Sequence, residues 1–490
     1  MKRSVDEQDI IVLGSGLGGL IAGTLLTKNN HPVLLLKECG YQPSYTIKGY
    51  RFVPFSSISE KCLKPSLLKK ISQTLNLPPM VDPQGEGKPT KSILGRSMQR
   101  DTLQVVLPRA RIDIFSQRSL SQKEWKREFP KEVTQIEEFY SELDRLQQLL
   151  GRAKAKKHAS PFFPIHQGSL IKKFFSFDRF PKEKMDQRLA PFSKEFKEFI
   201  QLQLISWGNL HSEHFTTSSA AHILFDEKDE LTPNVDLEKL EKEVLNQFLQ
   251  WGGKIEEINQ VKRVEQKWRK GLTVSLEGDP RVFRSKFLIL NSPLHRISSL
   301  LSEKWKEVLK KESKIKPRYV MIPLFLGTRE TVIPVGMKDL LISILDLEKP
   351  CHDGNVLLLS LSPKGDETKA PEGRRALTVE SLMDLGKWDQ TPLVDYQKRV
   401  MDHLRHLFPF LEEHIELVDF QWASEHVPRW SYSHFLYEAP SDFNWREGVF
   451  PTRMSKNLYH VGKENFPYLG LEGEILSGLI VGQRILKKYS

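Results

Sequence analysis

The chain has 490 residues, 73 Lys and Arg against 62 Asp and Glu, and three cysteines, which gives a formal charge of +11. With 39% apolar and 28% charged residues, its composition excludes wholesale disorder, collagen-like repeats and a polytopic membrane protein. At about 100–200 residues per domain, the length predicts two to four folding units. Cys39, Cys62 and Cys351 are widely spaced, so they predict neither a disulfide framework nor a metal site, and they favour a reducing compartment.

The positive charge is concentrated in residues 151–200, which carry +7 and nine of the 27 Phe. The other 440 residues therefore carry only +4, so nucleic acid is not expected as a partner. This segment contains two apolar stripes at helical spacing with lysines beside them: Leu170, Ile171, Phe174 and Phe175 with Lys172 and Lys173, then Phe192, Phe196, Phe199 and Ile200 with Lys194 and Lys197. Such helices rest on an anionic membrane surface or pack inside the protein, and the sequence leaves both alternatives open.

Residues 10–27 form the longest uncharged apolar run near the N-terminus. Five glycines interrupt it and three acidic residues precede it, so it is not interpreted as a membrane anchor. The pattern predicts instead a buried strand over 9–13, a glycine turn over 14–19, a helix over 20–26 and a second buried strand over 33–36.

The turn Gly14-Ser15-Gly16-Leu17-Gly18-Gly19 has the GxGxxG spacing of dinucleotide-binding proteins. In that motif the glycines permit a tight turn, let the backbone approach a pyrophosphate and let the helix pack against the strand. The amides at the helix N-terminus then face the phosphates. A carboxylate for the ribose is expected after the second strand, where Lys37 stands first and Glu38 second.

Near the C-terminus a second strand, glycine turn and helix are predicted. Residues 459–461 are predicted to be a strand, Gly462 a break, 470–473 a second glycine turn, and 475–486 a helix. A helix N-terminus of this kind suits an anion or a polarised ring edge.

Four separated segments resemble the phytoene desaturase, carotenoid isomerase and retinol saturase group of the flavin amine-oxidase superfamily. They are the first glycine turn with Gly49-Tyr50-Arg51-Phe52; Phe129-Pro130-Lys131-Glu132 with Ile136, Phe139 and Tyr140; residues 240–293; and residues 457–478. The resemblance implies FAD as cofactor, with the C-terminal helix pointing at the flavin ring. This chain differs from the group in having only Gly40 where a Gly-Gly pair is usual, and Lys463, followed by Glu464, where an acid is usual.

The resemblance implies an FAD-dependent oxidoreductase that exchanges hydride at flavin N5 with a hydrophobic, isoprenoid or polyene-like substrate, as a desaturase, saturase or isomerase. The alternatives are a flavin amine oxidase and a non-catalytic member of the fold that acts as a binding protein. The residues expected to hold FAD are Gly14, Ser15, Gly16, Leu17, Gly18, Gly19, Lys37, Glu38, Val261, Gly462, Lys463, Glu464, Leu471, Glu472 and Gly473.

The expected fold class is α/β, with a discontinuous Rossmann-like FAD/NAD(P)-binding domain and an inserted α+β substrate domain. The cofactor domain is predicted over 1–60, 230–295 and 450–490, and the substrate domain over 61–229 and 296–449, with 151–205 as a lid or membrane-facing insert. Within the substrate domain, helices are predicted over 133–150 and 396–408, and strands over 319–326 and 355–360.

No catalytic motif is visible, and the catalytic residues stay unknown. Trp430, Tyr432 and His434 alternate, so in a strand they would line one face of a pocket, although packing aromatics are the commoner use. His211 and His214 form a weaker candidate pair. The expected location is cytoplasmic, with a peripheral position on the inner face of a membrane left open, and the oligomeric state is unknown.

Overall fold

The computed structural model describes residues 5–39, 44–53, 63, 65–79, 103–115, 118–155, 183–208, 210, 215–224, 237–267, 271–303, 305–307, 316–426, 435–438 and 452–489. Its strands, in chain order, are β1 (Val5–Leu13), β2 (Val33–Glu38), β3 (Tyr45–Ile47), β4 (Tyr50–Phe52), β5 (Leu103–Leu107), β6 (Ala110–Ile114), β7 (Lys254–Ile258), β8 (Val261–Lys267), β9 (Gly271–Leu276), β10 (Val282–Leu290), β11 (Lys316–Arg329), β12 (Leu340–Ile344), β13 (Val356–Leu361), β14 (Arg374–Asp384), β15 (Ile415–Asp419), β16 (Phe435–Glu438) and β17 (Leu458–His460).

The helices, in the same order, are α1 (Leu17–Lys28), α2 (Pro65–Leu75), α3 (Arg118–Glu128), α4 (Val133–Ala155), α5 (Met185–Leu189), α6 (Lys194–Trp207), α7 (Thr217–Leu224), α8 (Leu237–Gln250), α9 (Leu294–Leu300), α10 (Leu393–Leu407), α11 (Leu411–His414), α12 (Gln421–His426) and α13 (Gly470–Leu486). Short 3-10 turns over Lys463–Asn465 and Pro467–Leu469 lead into α13.

The first sheet has the strand order β7-β2-β1-β10-β9-β8. Strands β7, β2, β1 and β10 run parallel, while β9 and β8 continue the sheet antiparallel. Strand β17 pairs in parallel with the last residues of β10, beside the segment that β9 occupies. Three distant parts of the chain therefore build one sheet, as the expected discontinuous domain requires.

Both faces of this sheet are covered, which explains the continuous apolar run in β1. Ile10 and Val12 pack into the large core beneath α1, α8 and α13, whereas Ile11 and Leu13 pack into a second core on the other face. The second core is completed by the β8–β9 hairpin, α9 and Trp305. A strand buried on both faces shows no polar alternation, because each of its side chains meets a helix or a hairpin.

The second sheet is mixed, with the order β15-β11-β14-β13-β12-β5-β6, and β16 pairs with the same edge of β11 as β15. Strands β5 and β12 are parallel, whereas the other pairs in this sheet are antiparallel. The β3–β4 hairpin lies against β11, where Phe52 stacks on Phe325 with ring centroids 4.9 Å apart. The expected α/β fold with an inserted α+β unit is confirmed, while the domain boundaries stay a prediction.

The second Phe stripe packs inside the protein. Phe196 and Phe199 of α6 are fully buried, and Phe196 meets Phe129 edge to face with ring centroids 5.4 Å apart. Lys194 remains at the surface, where its Nζ lies 2.6 Å from a carboxylate oxygen of Glu348. This stripe is therefore not available to a bilayer. The first stripe, over 170–175, lies outside the described residues.

Helix α13 begins at Gly470, earlier than the predicted 475, so most of the predicted glycine turn over 470–473 is helical, while Gly470 itself has φ +54°. Gly473 serves close packing. A Cβ on Gly473 would lie 2.6 Å from the carbonyl oxygen of Phe466, in the 3-10 segment that precedes the helix. Within the described residues, no helix combines the length and the apolarity that crossing a membrane requires.

Helices α1 and α13 touch through backbone. A Cβ on Gly478 would lie 2.2 Å from the carbonyl oxygen of Gly18, whereas a Cβ on Gly482, one turn further, would meet mainly Leu25 Cδ2, at 3.0 Å. Backbone cannot move aside as a flexible side-chain end can, so the first contact tolerates only glycine.

We expect Gly478→Ala to lower the free energy of unfolding by about 3 kcal/mol, because the added methyl group forces the two helices apart. Gly482→Ala is the matched control and is expected to stay within about 1 kcal/mol, since helix propensity offsets a mild contact. Urea denaturation of both variants measures the difference. Equal losses would contradict a specific α1–α13 contact.

Candidate functional site

The first glycine turn lies at the carboxyl end of β1. Gly14 has φ +112°, and a Cβ there would lie 2.0 Å from the carbonyl oxygen of Asn291. A Cβ on Gly16 would lie 2.5 Å from oxygens of both Asn291 and Glu474. Helix α1 starts at Leu17 without a side-chain cap from Gly16, so its first amides are available to acceptors from outside the helix.

Two polar residues from distant segments meet these amides. The Gly19 amide donates to Asn291 Oδ1 at 3.1 Å, and the Gly18 amide donates to Glu474 Oε1 at 3.1 Å. Asn291 Nδ2 donates in turn to the carbonyl oxygen of Val461 at 3.0 Å and to Glu474 Oε1 at 3.2 Å. Both side chains are buried. The sequence analysis assigns no role to either residue, since their meeting depends on the packing of β10 and α13.

Glu38 lies at the end of β2 and faces the site. Its Oε1 accepts a hydrogen bond from the Val261 amide at 2.8 Å, and its Oε2 is paired with the guanidinium of Arg296. Lys37 points the other way, with its Nζ 3.7 Å from Glu257. The difference follows from the alternation of side chains along a strand, which puts neighbours on opposite faces. Arg296 carries no signal in the sequence that predicts this pairing.

The segment after β17 forms another edge of the site. The Gly462 amide donates to Asn465 Oδ1 at 2.9 Å and to Ser477 Oγ at 3.2 Å. Glu464 is buried, and its Oε1 accepts from the hydroxyl of Tyr437 and, at 3.2 Å, from the Leu294 amide. Tyr437 lies on β16, so this contact joins the second sheet to the cofactor-side segment.

Burial changes the protonation of two groups here. Burial and the Glu464 carboxylate raise the pKa of Tyr437 well above its usual value, so its hydroxyl stays protonated and donates to Glu464. Burial lowers the pKa of His460, which is therefore neutral at pH 7. Its Nε2 lies 3.2 Å from the Ser292 carbonyl oxygen, which only accepts, so the proton is on Nε2.

Helix α13 presents a second uncapped N-terminus. Leu469 precedes it and supplies no side-chain cap, and the helix dipole places partial positive charge at this end. Leu471 and Gly473 are buried in its first turn. Glu472 lies in the same turn and is partly exposed.

The structure thus brings the first glycine turn, Glu38, Val261, Gly462 and the start of α13 to the carboxyl edge of the first sheet. This is where ligands bind in open parallel sheets. The pocket candidates Trp430, Tyr432 and His434, and also His211 and His214, lie outside the described residues. In the part of the chain that the structure describes, no group of three or more His, Cys, Asp or Glu is placed to hold a metal ion.

The family of flavin-containing amine oxidoreductases matches residues 89–486, and the chain belongs to this family. It is accordingly a flavin-dependent oxidoreductase, and the expectation of FAD as its cofactor is confirmed. The residues suit FAD, because the structure provides a glycine cradle, two helix N-termini without a cap from the preceding residue, and a carboxylate at the end of β2.

Two comparisons add detail. The chain is 23% identical to a chloroplastic prolycopene isomerase of Daucus carota, over 98% of this chain and 80% of that protein, and equally identical to one of an Oncidium hybrid cultivar, over 99% and 84%. Its fold is similar to that of putrescine oxidase in complex with putrescine, with a TM-score of 0.60, 14% identity and coverage of 99% and 100%. The likeness to putrescine oxidase shows the fold alone.

We expect Glu38→Gln to weaken FAD binding about tenfold or more, because it removes the charge that we expect to accept from the ribose and to pair with Arg296. Lys37→Gln, at the neighbouring position on the opposite face, is expected to leave the dissociation constant unchanged within about twofold. Titration with FAD, followed by quenching of flavin fluorescence, measures both constants. A larger loss of FAD affinity in Lys37→Gln than in Glu38→Gln would contradict the assignment of the ribose contact to Glu38.

Proposed function

We propose that this flavoprotein acts on a linear polyene hydrocarbon and changes the geometry of its double bonds. The observation that carries the proposal is the similarity to prolycopene isomerases along 98–99% of the chain. It includes the second sheet, which supplies the substrate side in our interpretation, as well as the cofactor segments.

The buried residues around Tyr437 and Tyr468 support an apolar substrate. Leu210 forms a bridge with Tyr437, and the chain at Gly208 lies against Phe215 and the backbone of Tyr468. Leu210, Phe215, Tyr437 and Tyr468 are all buried. Apolar and aromatic side chains line sites that bind a hydrocarbon by burying apolar surface rather than by pairing charges.

An amine substrate is less well served by the described residues. A buried ammonium group needs a carboxylate or an aromatic face that is free to receive it. Glu464, the buried carboxylate beside Tyr437, already accepts from Tyr437 and from the Leu294 amide. Glu464 is therefore already engaged and is a poor counter-ion for an amine, which supports the polyene alternative.

FAD, when bound, supplies a hydride acceptor and donor at N5. In our proposal Glu38, positioned by the Val261 amide, would hold the adenosine end, the Leu17 amide and the glycine cradle would receive the pyrophosphate, and the N-terminus of α13 would stabilise negative charge on the ring. His460, neutral and hydrogen-bonded to Ser292, orders the backbone between β17 and Gly462. The second sheet holds the hydrocarbon and keeps water away from it.

The reaction is tested by incubating FAD-loaded protein anaerobically with a poly-cis carotene and, separately, with putrescine. We expect the carotene to change isomer composition on chromatography without a net change in its number of double bonds. FAD-stripped protein is the control and should leave the carotene unchanged. Desaturation or saturation would appear as a shifted chromophore and would correct the reaction type. Reduction of the flavin by putrescine, with the carotene unchanged, would replace the proposal by an amine oxidase.

A membrane surface is a coherent source for such a substrate, and we propose that residues 151–182 provide the attachment. They hold eight basic side chains and one acidic side chain, whereas residues 183–200 hold four of each. The excess positive charge therefore lies entirely before α6, whose own Phe stripe is buried. A cluster of basic residues beside aromatic ones is typical of segments that bind anionic lipid.

We expect Lys172→Glu with Lys173→Glu to reduce recovery of the protein with anionic liposomes severalfold in a flotation assay at low salt. Lys194→Glu with Lys197→Glu is the matched control, because it makes the same charge change beside the buried stripe, and its recovery should equal that of the wild type. Equal recovery of all three proteins would remove the membrane role.

A further inference from the structure

The N-terminus of α1 already holds an anion from the protein itself. The Glu474 carboxylate accepts the Gly18 amide, in the first turn of the helix that a dinucleotide-binding fold uses for the pyrophosphate. We propose that Glu474 is a built-in competitor of the FAD pyrophosphate, which weakens cofactor binding and stabilises the protein without FAD. This inference concerns the cofactor alone and does not depend on the proposed substrate.

The geometry defines what the cofactor has to displace. Glu474 Oε1 lies 3.1 Å from the Gly18 amide nitrogen and 3.2 Å from Asn291 Nδ2. It would also lie 2.5 Å from a Cβ on Gly16, so the carboxylate occupies space beside the glycine that gives the cofactor backbone access. The Gly19 amide is held by Asn291. Of the first three amides of α1, two are therefore satisfied by the protein.

Charge makes the competition stronger than a shared hydrogen bond would. A pyrophosphate is anionic, and the Glu474 side chain is 8% exposed, so water screens little of the repulsion between them. Its Oε1 accepts from two neutral donors, the Gly18 amide and the Asn291 side-chain amide. Arg296, a cation at the other edge of the site, is paired with Glu38.

The same contacts explain what the carboxylate does when FAD is absent. The uncapped end of α1 carries partial positive charge and donors that need acceptors, and the carboxylate supplies both a negative charge and an acceptor. Glu474 thus does for the apoprotein what the pyrophosphate does for the loaded protein. The glutamate side chain has three rotatable bonds, so its carboxylate is able to leave while the α13 backbone stays in place.

The test measures FAD affinity of the full-length chain by isothermal titration. We expect Glu474→Gln, which keeps the shape and one acceptor, and Glu474→Ala, which also frees the Gly18 amide, to bind FAD about tenfold or more tightly than the wild type. Glu7→Gln is the matched control, because it removes the same charge at the opposite end of β1, where Glu7 is paired with Arg284. Its affinity should equal that of the wild type.

Thermal stability provides a second measurement, which remains informative if a variant folds poorly. Thermal unfolding with and without saturating FAD should show lower stability of the Glu474→Ala apoprotein and a larger FAD-induced rise in Tm than in the wild type. Unchanged or weaker FAD binding in Glu474→Gln, with the fold intact by circular dichroism, would overturn the proposal and leave Glu474 as a structural link between α1 and α13. No polyene or amine enters these assays, so their result is separate from that of the proposed reaction.

Discussion

The structure depends on the close approach of α1 and α13. The two helices come from opposite ends of the chain, and they meet where Gly18 and Gly478 leave no room for a Cβ. This contact brings two helix N-termini to the same edge of the first sheet. It also brings Asn291 and Glu474 together around the glycine turn. Such a pair of positive helix ends suits an anionic cofactor with a polarised ring, with one end for its phosphates and one for its ring.

The site contains three carboxylates that have little exposure to water. Glu38, Glu464 and Glu474 are mostly or fully buried, and each accepts hydrogen bonds from the protein. Glu38 is paired with the guanidinium of Arg296. Buried carboxylates close to an anionic ligand raise the cost of binding that ligand. In our proposal, the competition between internal acceptors and the cofactor contributes, together with the glycine motif, to how tightly FAD is held.

The second sheet is tied to the cofactor side through a few buried contacts. Tyr437 of β16 donates to Glu464, and the β3–β4 hairpin places Phe52 on Phe325 of β11. Aromatic and tyrosine contacts of this kind fix the orientation of two sheets while burying apolar area. Tyr437 and Tyr468 are both buried at this junction.

The local signals in the sequence determined the elements: the buried strand β1, the GxGxxG turn, α1, the long helix α4 and the strands β11 and β13 follow from apolar runs, glycine spacing and helical periodicity. They also identified the family and its cofactor, because the motifs occur in the right order along nearly the whole chain.

Tertiary structure decided the other features. The sequence could not choose between Lys37 and Glu38, since the choice depends on which face of β2 meets the site. It could not show that the stripe on α6 is buried, or that α13 begins as early as Gly470, because both depend on what packs against them. The roles of Asn291, Arg296 and Glu474 arise from contacts between residues as many as 456 positions apart, which no local pattern encodes.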